Sequence, residues 1–322
     1  MERTLTCPVC GSSDTSILPL GQYAEFFRLR VDTSKDEFML FSRTGSISTK
    51  PRSLAARALR KIGRILSPPK VAPAMQFRTH MQACALCHSI TPCHQYSFED
   101  LVGLYRDYRL ESYNLDRISV EPSYARIVRD VGAHPLEIKN RNVAVDDFLR
   151  KNAGLFASGA MIDYGGSDGR FLTPFMYEQF EKIYIFDPSD APLHASVDCR
   201  KVEKVSIPQS ETYSFMTCMH VLEHVGNPKA FVADAVRLLT SGGLLYIEVP
   251  LDLTQSVRDD FAQRIIDTPI TIHEHINLFD PTSVRTMVGS ITGLELVDDA
   301  NDIVDFGWTK TLIGRFLVRK AI

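Results

Sequence analysis

The sequence lacks any run of about 18 apolar residues, the length that a helix needs to cross a bilayer. It also has little net charge, since 36 lysines and arginines against 39 acidic residues give −3. A disordered chain would carry more charge and fewer apolar residues than the 44% found here. The polar start of the chain shows no apolar segment typical of a secretion signal. We therefore expect a globular, cytoplasmic protein, and its 322 residues suggest roughly two domains of about 150 residues each.

Cysteine is the scarce residue with the clearest pattern. Four of the seven cysteines form two pairs, Cys7-Pro-Val-Cys10 and Cys84-Ala-Leu-Cys87. Without a secretion signal these thiols should stay reduced, which argues against disulfides. Two C-x-x-C turns supply the four thiolates that hold a structural zinc ion, and a closed site of this kind leaves no position for catalysis. We predict that Cys7, Cys10, Cys84 and Cys87 bind zinc.

Other readings of the cysteines stay open. The loop between the two pairs is long, so they can also be unrelated, or one of them can be a redox pair. His88, Cys93 and His94 are spare ligands close to the second pair. Cys199 and Cys218 lie in apolar, strand-like surroundings and are predicted to be buried.

Acidic residues are absent from the segment 43–70, which contains eight lysines and arginines. Inside it, residues 53–66 show helical periodicity, with the basic residues off the apolar stripe. A basic amphipathic helix can lie on an anionic membrane surface or bind a polyanionic partner. The alternative is an ordinary surface helix that packs on the zinc module.

The pattern of elements changes along the chain. Residues 97–131 and 143–156 read as helices, and from residue 160 strands alternate with helices, which is typical of an α/β fold with a parallel sheet. This division predicts three parts: a zinc-binding module at 1–96, a helical substrate or lid segment at 97–156, and an α/β domain at 157–322.

A glycine-rich turn follows the first strand of the α/β domain. Gly165, Gly166 and Gly169 lie between the apolar strand that begins at residue 160 and a predicted helix start. The next strand ends at Asp187, a position from which a carboxylate can accept both ribose hydroxyls of a nucleoside. A dinucleotide fingerprint would need glycine at Ser167 and Arg170. We therefore predict a nucleoside-type cofactor other than a dinucleotide.

The same loop has the form D-x-G-x-x-x-G, with Asp163, Gly165 and Gly169. This form resembles motif I of the class I S-adenosylmethionine-dependent methyltransferases. The later order of His-Val-Leu-Glu-His-Val at 220–225, a helix, a Gly-Gly turn and a strand ending in Val-Pro is similar to the type 23 subgroup. The resemblance implies S-adenosylmethionine as cofactor and a Rossmann-like seven-stranded sheet whose final strand, within 308–319, is antiparallel. One departure is Ser214, where the subgroup usually has an aspartate.

A second resemblance covers the N-terminal half. Four zinc cysteines, a tyrosine-rich helical segment and this catalytic domain resemble the C-methyltransferases of deoxysugar biosynthesis. The resemblance implies a small polar acceptor, such as a nucleotide-linked sugar or a glycan intermediate. The basic segment 43–70 is not typical of that family.

The resemblance also implies roles for individual residues. His224, Glu274 and His275 match positions that line the acceptor pocket, whereas the catalytic tyrosine position is Ile272. We expect His275 to be the base, Glu274 to orient it or bind a sugar hydroxyl, and His224 to bind or polarise the acceptor. The residues expected at the cofactor are Asp163, Gly165, Gly166, Gly169, Asp187, His220 and Tyr113.

Two other functions compete with this one. In an RNA- or protein-modifying methyltransferase, the zinc module and the basic helix would recognise the partner. Against it, the DPPY- or NPPY-type tetrapeptide of amino-group methyltransferases is absent after the fourth strand, where the chain has 218–221. A non-catalytic scaffold would not need the glycine loop and Asp187. A metal site at His273 and His275 lacks a supporting carboxylate pattern.

Overall fold

The computed structural model describes residues 5–23, 25–31, 78–108, 110–189, 191–253 and 274–322. The basic segment 43–70, the helix predicted within it, Ile272 and His273 lie outside the described residues. Within the described part, no helix combines the length and apolar character that crossing a bilayer would require.

Near the N-terminus a small antiparallel sheet brings the two cysteine pairs together. Its strands are β1 (Thr15–Tyr23), β2 (Arg78–Cys84) and β3 (Ile90–Pro92), with β2 in the middle. Thr15 is the register partner of Cys84, so the start of β1, which follows the first cysteine pair, lies beside the second pair.

The α/β half contains a seven-stranded sheet. Its strands are β4 (Ala160–Tyr164), β5 (Lys182–Phe186), β6 (Val202–Lys204), β7 (Tyr213–Met219), β8 (Leu239–Pro250), β9 (Leu294–Asp305) and β10 (Lys310–Lys320). Their order is β6-β5-β4-β7-β8-β10-β9, and β10 is antiparallel to both of its neighbours. Every residue of β7 is buried, as expected for a central strand covered on both faces. The predicted Rossmann-like seven-stranded sheet, with its antiparallel final strand, is confirmed.

Helices cover the sheet and connect it to the small sheet. They are α1 (Glu25–Arg30), α2 (Phe98–Tyr105), α3 (Glu111–Val120), α4 (Pro135–Lys151), α5 (Pro174–Gln179), α6 (Pro228–Ala235) and α7 (Pro281–Gly289). A capping box between Ser97 and Asp100 fixes the start of α2. The helices predicted within 97–131 are thus present.

The helix predicted at 143–156 has different bounds. It is α4, which begins at Pro135 after the N-cap His134 and ends at Lys151, before a short 3-10 turn. The sequence pattern hides its first two turns because the inward positions there are charged: Glu137 and Arg141 are both buried. The helix that follows the glycine loop likewise begins later than expected, at Pro174.

The cysteine region shares a hydrophobic core with the large sheet. The four pairing cysteines and Val9 belong to the same buried cluster as strands β7, β8 and β10. Polar contacts join the two parts as well: the Lys229 amide donates to the Pro8 carbonyl, and the Ser283 hydroxyl donates to the Cys87 carbonyl. The two parts are therefore packed as one body at this face.

Candidate active site

Four thiols converge where the two C-x-x-C turns meet. The Sγ atoms of Cys7 and Cys87 are 3.7 Å apart, those of Cys10 and Cys84 are 3.6 Å apart, and all four lie within 4.8 Å of one another. The edges of a tetrahedral zinc site with 2.3 Å bonds measure about 3.8 Å. All four thiols are buried and none forms a disulfide. The geometry and the all-sulfur donor set both fit a structural zinc ion.

The other thiols and the spare ligands lie apart from this cluster. Within the described residues the group contains the four paired cysteines and neither Cys93 nor His94. Burial raises the pKa of Cys93 to about 12, as expected for an inert core thiol. Cys218 is buried as predicted, but Cys199 is exposed because it lies in a turn before β6 and not in a strand, so that prediction was wrong.

The glycine loop after β4 is tightly packed against neighbouring side chains. Gly165 has a φ of +81°, and a Cβ there would lie 2.5 Å from Val221 Cγ2. A Cβ on Gly166 would lie 2.3 Å from Asp163 Oδ2. The first two glycines are therefore required by the chain's own packing, in addition to any approach by a ligand.

Asp187 lies just beyond β5 and fastens the loop. Its Oδ2 accepts a hydrogen bond of 2.9 Å from the Ser167 amide, and its Oδ1 accepts one of 2.8 Å from the Ser189 amide. Each carboxylate oxygen has two lone pairs, so both remain able to accept a ribose hydroxyl. This arrangement fits the nucleoside end of S-adenosylmethionine.

Asp163 lies beneath the same loop and is buried. Its Oδ1 accepts from the Thr217 hydroxyl at 2.7 Å, whereas its Oδ2 has no hydrogen bond within the described residues. Burial raises the pKa of Asp163 to about 6, and the nearby charge of Asp187 adds to the rise. The fold thus favours the protonated acid at this position.

Replacing Asp163 with asparagine should therefore stabilise the protein at neutral pH. The unfolded side chain ionises near the ordinary aspartate pKa of 3.8, but the folded one only near 6, so stability is lost as pH rises through this window. Two pKa units correspond to ~3 kcal/mol, and an amide does not ionise. Urea denaturation should show Asp163→Asn to be more stable at about pH 7.5, with no gain below about pH 4. Asp198→Asn, at an exposed aspartate, is the control, and an equal gain in that variant would contradict the explanation.

His220 follows β7 between two buried carboxylates. Its Nδ1 lies 3.2 Å from Glu223 Oε1, and its Nε2 lies 3.3 Å from Glu248 Oε1. Glu248 is also paired with Arg141 and Arg315 beneath the sheet edge. Burial alone would raise the pKa of Glu248, but these cations and His220 hold it well below its usual range. The structure thus places His220 in an ion-pair network close to the glycine loop, and its contact with cofactor stays a prediction.

His224 is fixed through one ring nitrogen. Its Nδ1 lies 3.0 Å from the Glu274 carbonyl oxygen and 2.8 Å from Tyr105 Oη, and Tyr105 donates to the same carbonyl. Because a carbonyl only accepts, we assign the hydrogen to Nδ1, which leaves Nε2 with a lone pair. Burial lowers the pKa of His224, in agreement with a neutral ring.

Glu274 is held by the helical segment. Its carboxylate accepts from the Tyr113 hydroxyl at 2.6 Å and forms a short charged hydrogen bond with Arg117. Tyr108 Oη lies 3.5 Å from its second oxygen. Tyr113, expected at the cofactor, is thus buried with its hydroxyl on Glu274, and the structure shows its place on the acceptor side of the site.

His275 completes the group, with its ring 5.1 Å from that of His224, centre to centre. Its Nδ1 lies 3.2 Å from Asp252 Oδ2. Burial lowers the pKa of His275, but the bond to Asp252 and the nearby carboxylates outweigh this effect and raise it to about 9. A ring with this pKa carries a proton at neutral pH, which does not suit the role of base expected for it.

Sequence reasoning missed several residues of this site. It treated Tyr105 and Tyr108 as core residues and did not consider Arg117 or Asp252. One signal was available for Arg117: it lies four residues after Tyr113, so both point from one face of α3 to the same partner. Asp252 gave no comparable signal, because its partner His275 is 23 residues away.

Comparison with known proteins gives a consistent family. The family model of a methyltransferase domain matches residues 138–298, half of the chain. A curated relative, the ubiquinone biosynthesis O-methyltransferase of Hahella chejuensis, is 28% identical over 112 residues, which cover 31% of this chain and 46% of the relative. The chain thus spans less than half of the length of that protein.

Solved structures with a similar chain path are also named as methyltransferases. The 1,6-didemethyltoxoflavin-N1-methyltransferase of Burkholderia thailandensis, with bound 1,6-didemethyltoxoflavin and S-adenosylhomocysteine, has a TM-score of 0.45 and 16% identity. That alignment covers 63% of this chain and 87% of the other. A SAM-dependent methyltransferase of Methanosarcina mazei has a TM-score of 0.41 and 12% identity, covering 53% of this chain and 97% of the other.

Proposed function

We propose, since this chain belongs to the methyltransferase-domain family and is an S-adenosylmethionine-dependent methyltransferase, that its acceptor is a small polar molecule with hydroxyl groups. A nucleotide-linked sugar or a glycan intermediate is the acceptor class that we favour. The observation that carries the proposal is the meeting of His224, Glu274 and His275 beyond the carboxyl ends of β7 and β8. In open α/β sheets, ligands bind in the crevice at this end.

The acceptor side offers polar groups of several kinds in a small space. His224 presents an unprotonated Nε2, His275 presents a ring that is charged at neutral pH, and Glu274 presents a carboxylate held by Tyr113 and Arg117. Such a set can fix the orientation of a polyhydroxylated molecule. It also moves the proton-accepting role from His275 to His224 Nε2 in our proposal.

Methyl transfer itself needs orientation more than protein chemistry. The cofactor supplies the electrophilic methyl group, and the protein places the acceptor oxygen in line with it and removes a proton. In our proposal Asp187 and the loop at Gly165 hold the nucleoside, while the His224 ring binds the acceptor hydroxyl. The O-methyltransferase activity in the name of the curated relative supports oxygen as the methylated atom.

We further propose that Cys7, Cys10, Cys84 and Cys87 hold a structural zinc ion. The sulfur distances of 3.6 and 3.7 Å support this assignment. The zinc would fix the two turns against α6 and α7, where Lys229 and Ser283 bond to their carbonyls. The site has no open coordination position and therefore no part in methyl transfer.

Calorimetry with S-adenosylmethionine tests the proposed function at its cofactor step. The wild-type chain should bind the cofactor, and Gly165→Ala should weaken binding at least tenfold, because its new methyl group meets Val221 at 2.5 Å in a left-handed backbone. Gly154→Ala is the matched control, since nothing lies within 4 Å of a Cβ there. Binding of a nicotinamide dinucleotide in place of S-adenosylmethionine would contradict the proposal.

A panel of acceptors tests the substrate class. Transfer of radiolabelled methyl groups to nucleotide-linked sugars would support our preferred class, and transfer only to phenolic compounds would replace it with the class suggested by the curated relative. The basic segment 43–70 lies outside the described residues, and its contact with a membrane surface or polyanion remains a proposal from sequence. Steeply salt-dependent binding to RNA would favour the alternative function.

A further inference from the structure

Glu223 is a fully buried carboxylate in an unusual situation. It is 0% exposed, and neither of its side-chain oxygens has a hydrogen bond within the described residues. The imidazole nitrogens nearest to Oε1 are His220 Nδ1 at 3.2 Å and His224 Nε2 at 3.9 Å. A buried carboxylate without hydrogen bonds is costly unless a cation compensates its charge. The surroundings of Glu223 therefore suit a positive charge.

Two imidazoles lie beside this carboxylate and are oriented from behind. Glu223, His224 and His275 each place one ligand atom within 4.8 Å of the others. The Nδ1 of His224 is engaged by the Glu274 carbonyl, and the Nδ1 of His275 by the Asp252 carboxylate. Metal-binding histidines characteristically donate one ring nitrogen to such an oxygen, which fixes the tautomer and leaves the other nitrogen for the metal.

We propose that Glu223, His224 and His275 form a divalent-cation site in the acceptor pocket. The inference rests on the proposed function and adds a metal cofactor to it. Two imidazoles and one carboxylate suit zinc or a similar first-row ion more than magnesium, and they leave a coordination position open. The site is separate from the four-cysteine cluster, which uses no residue of this group.

Closure of the site requires a modest movement. Ligands 2.1 Å from a tetrahedral centre lie about 3.4 Å apart, whereas the present atoms are separated by up to 4.8 Å. Glu223 and His224 are anchored, since the Glu223 carbonyl accepts from the amides of Ile276 and Asn277. The His275 side chain is 38% exposed, so it has room to approach the other two.

The open position would take the acceptor hydroxyl. Coordination lowers the pKa of a bound hydroxyl, so the proton leaves the oxygen for solvent while His224 Nε2 serves as a ligand. The oxygen then forms the new bond to the methyl carbon, the bond from that carbon to sulfur breaks, and the sulfur leaves as the neutral thioether of S-adenosylhomocysteine. The bound cation would also satisfy the buried charge of Glu223.

Metal counting on the full chain tests the proposal. Protein freed of metal with a chelator, reloaded with Zn²⁺ and desalted, should contain two zinc ions per chain. Glu223→Gln and His275→Ala should each contain one, and so should Cys84→Ser, which loses the other ion. His194→Ala, at a histidine bonded to Ser196 outside both groups, should retain two. Reloading with Co²⁺ should show thiolate charge-transfer absorption that Cys84→Ser loses and His275→Ala keeps.

The result that overturns the proposal is one zinc per wild-type chain, unchanged in Glu223→Gln and His275→Ala. If Glu223→Gln fails to fold, His275→Ala decides alone, because this side chain is partly exposed. Calorimetry with S-adenosylmethionine separates the two proposals: a chain that binds the cofactor but holds one zinc keeps the proposed function and loses the second metal site. A chain that holds two zinc ions but does not bind the cofactor contradicts the proposed function.

Discussion

Replacing Cys84 with serine should release the zinc of the four-cysteine cluster and destabilise the whole chain. The site lies in the core that the cysteines share with β7, β8 and β10, so its loss is not confined to a surface module. Structural zinc contributes apparent binding free energies of about 10–16 kcal/mol, of the same order as the stability of a domain. We expect a large fall in the melting temperature and the loss of one zinc ion per chain.

The matched control is Cys199→Ser. Cys199 is exposed and lies outside the cluster, so this variant should keep the wild-type melting temperature and zinc content. Differential scanning calorimetry and elemental analysis of the same samples give both quantities. The four-cysteine assignment is wrong if Cys84→Ser retains the wild-type zinc content.

Loss of this zinc should also reach the acceptor pocket. Ile90, close to the second cysteine pair, exchanges two backbone hydrogen bonds with Leu278, and the segment from Glu274 to Leu278 carries the acceptor residues. The glycine loop has no comparable bond to the small sheet among the contacts of the described residues. Cys84→Ser that still folds should therefore lose methyl transfer to a greater degree than cofactor binding.

The comparison of sequence and structure follows from how local each signal is. The loop with Gly165 and the acid at Asp187 are predictable because both follow strands with strong apolar patterns, and parallel strands end at one edge. The four cysteines are predictable because a C-x-x-C turn fixes the spacing of two ligands. These parts of the fold and site depend on short stretches of chain.

The acceptor pocket depends on contacts between distant segments, which composition and periodicity do not reveal. Arg117 and Glu274 are 157 residues apart, and Tyr105 and His224 are 119 residues apart. The roles of His224 and His275 are also set by partners, since the Glu274 carbonyl and the Asp252 carboxylate give the two rings different protonation. The choice of His275 as base failed to anticipate Asp252, which no motif marks.

Replacing Arg117 with methionine should cost about 3–5 kcal/mol of stability, because it leaves a buried carboxylate without its cation. The side chains of Arg117 and Glu274 are each only 10% exposed, so water can replace the lost charge only poorly. Burial lowers the pKa of Arg117, but the charges of Glu274 and Glu121 more than compensate and raise it, which keeps the guanidinium charged. Urea denaturation of the wild type and the variant measures the loss.

The matched control is the double variant Arg117→Met with Glu274→Gln, in which no unpaired charge is left at this position. We expect it to recover most of the stability, since a neutral amide can still bond to Tyr113. Both variants should keep cofactor binding, because Arg117 has no contact with the glycine loop among the hydrogen bonds of the described residues. Methyl transfer should fall in Arg117→Met, since the Glu274 carbonyl that fixes the His224 ring would shift with its side chain. A single variant as stable as the double variant would mean that the pair does not hold Glu274 in place.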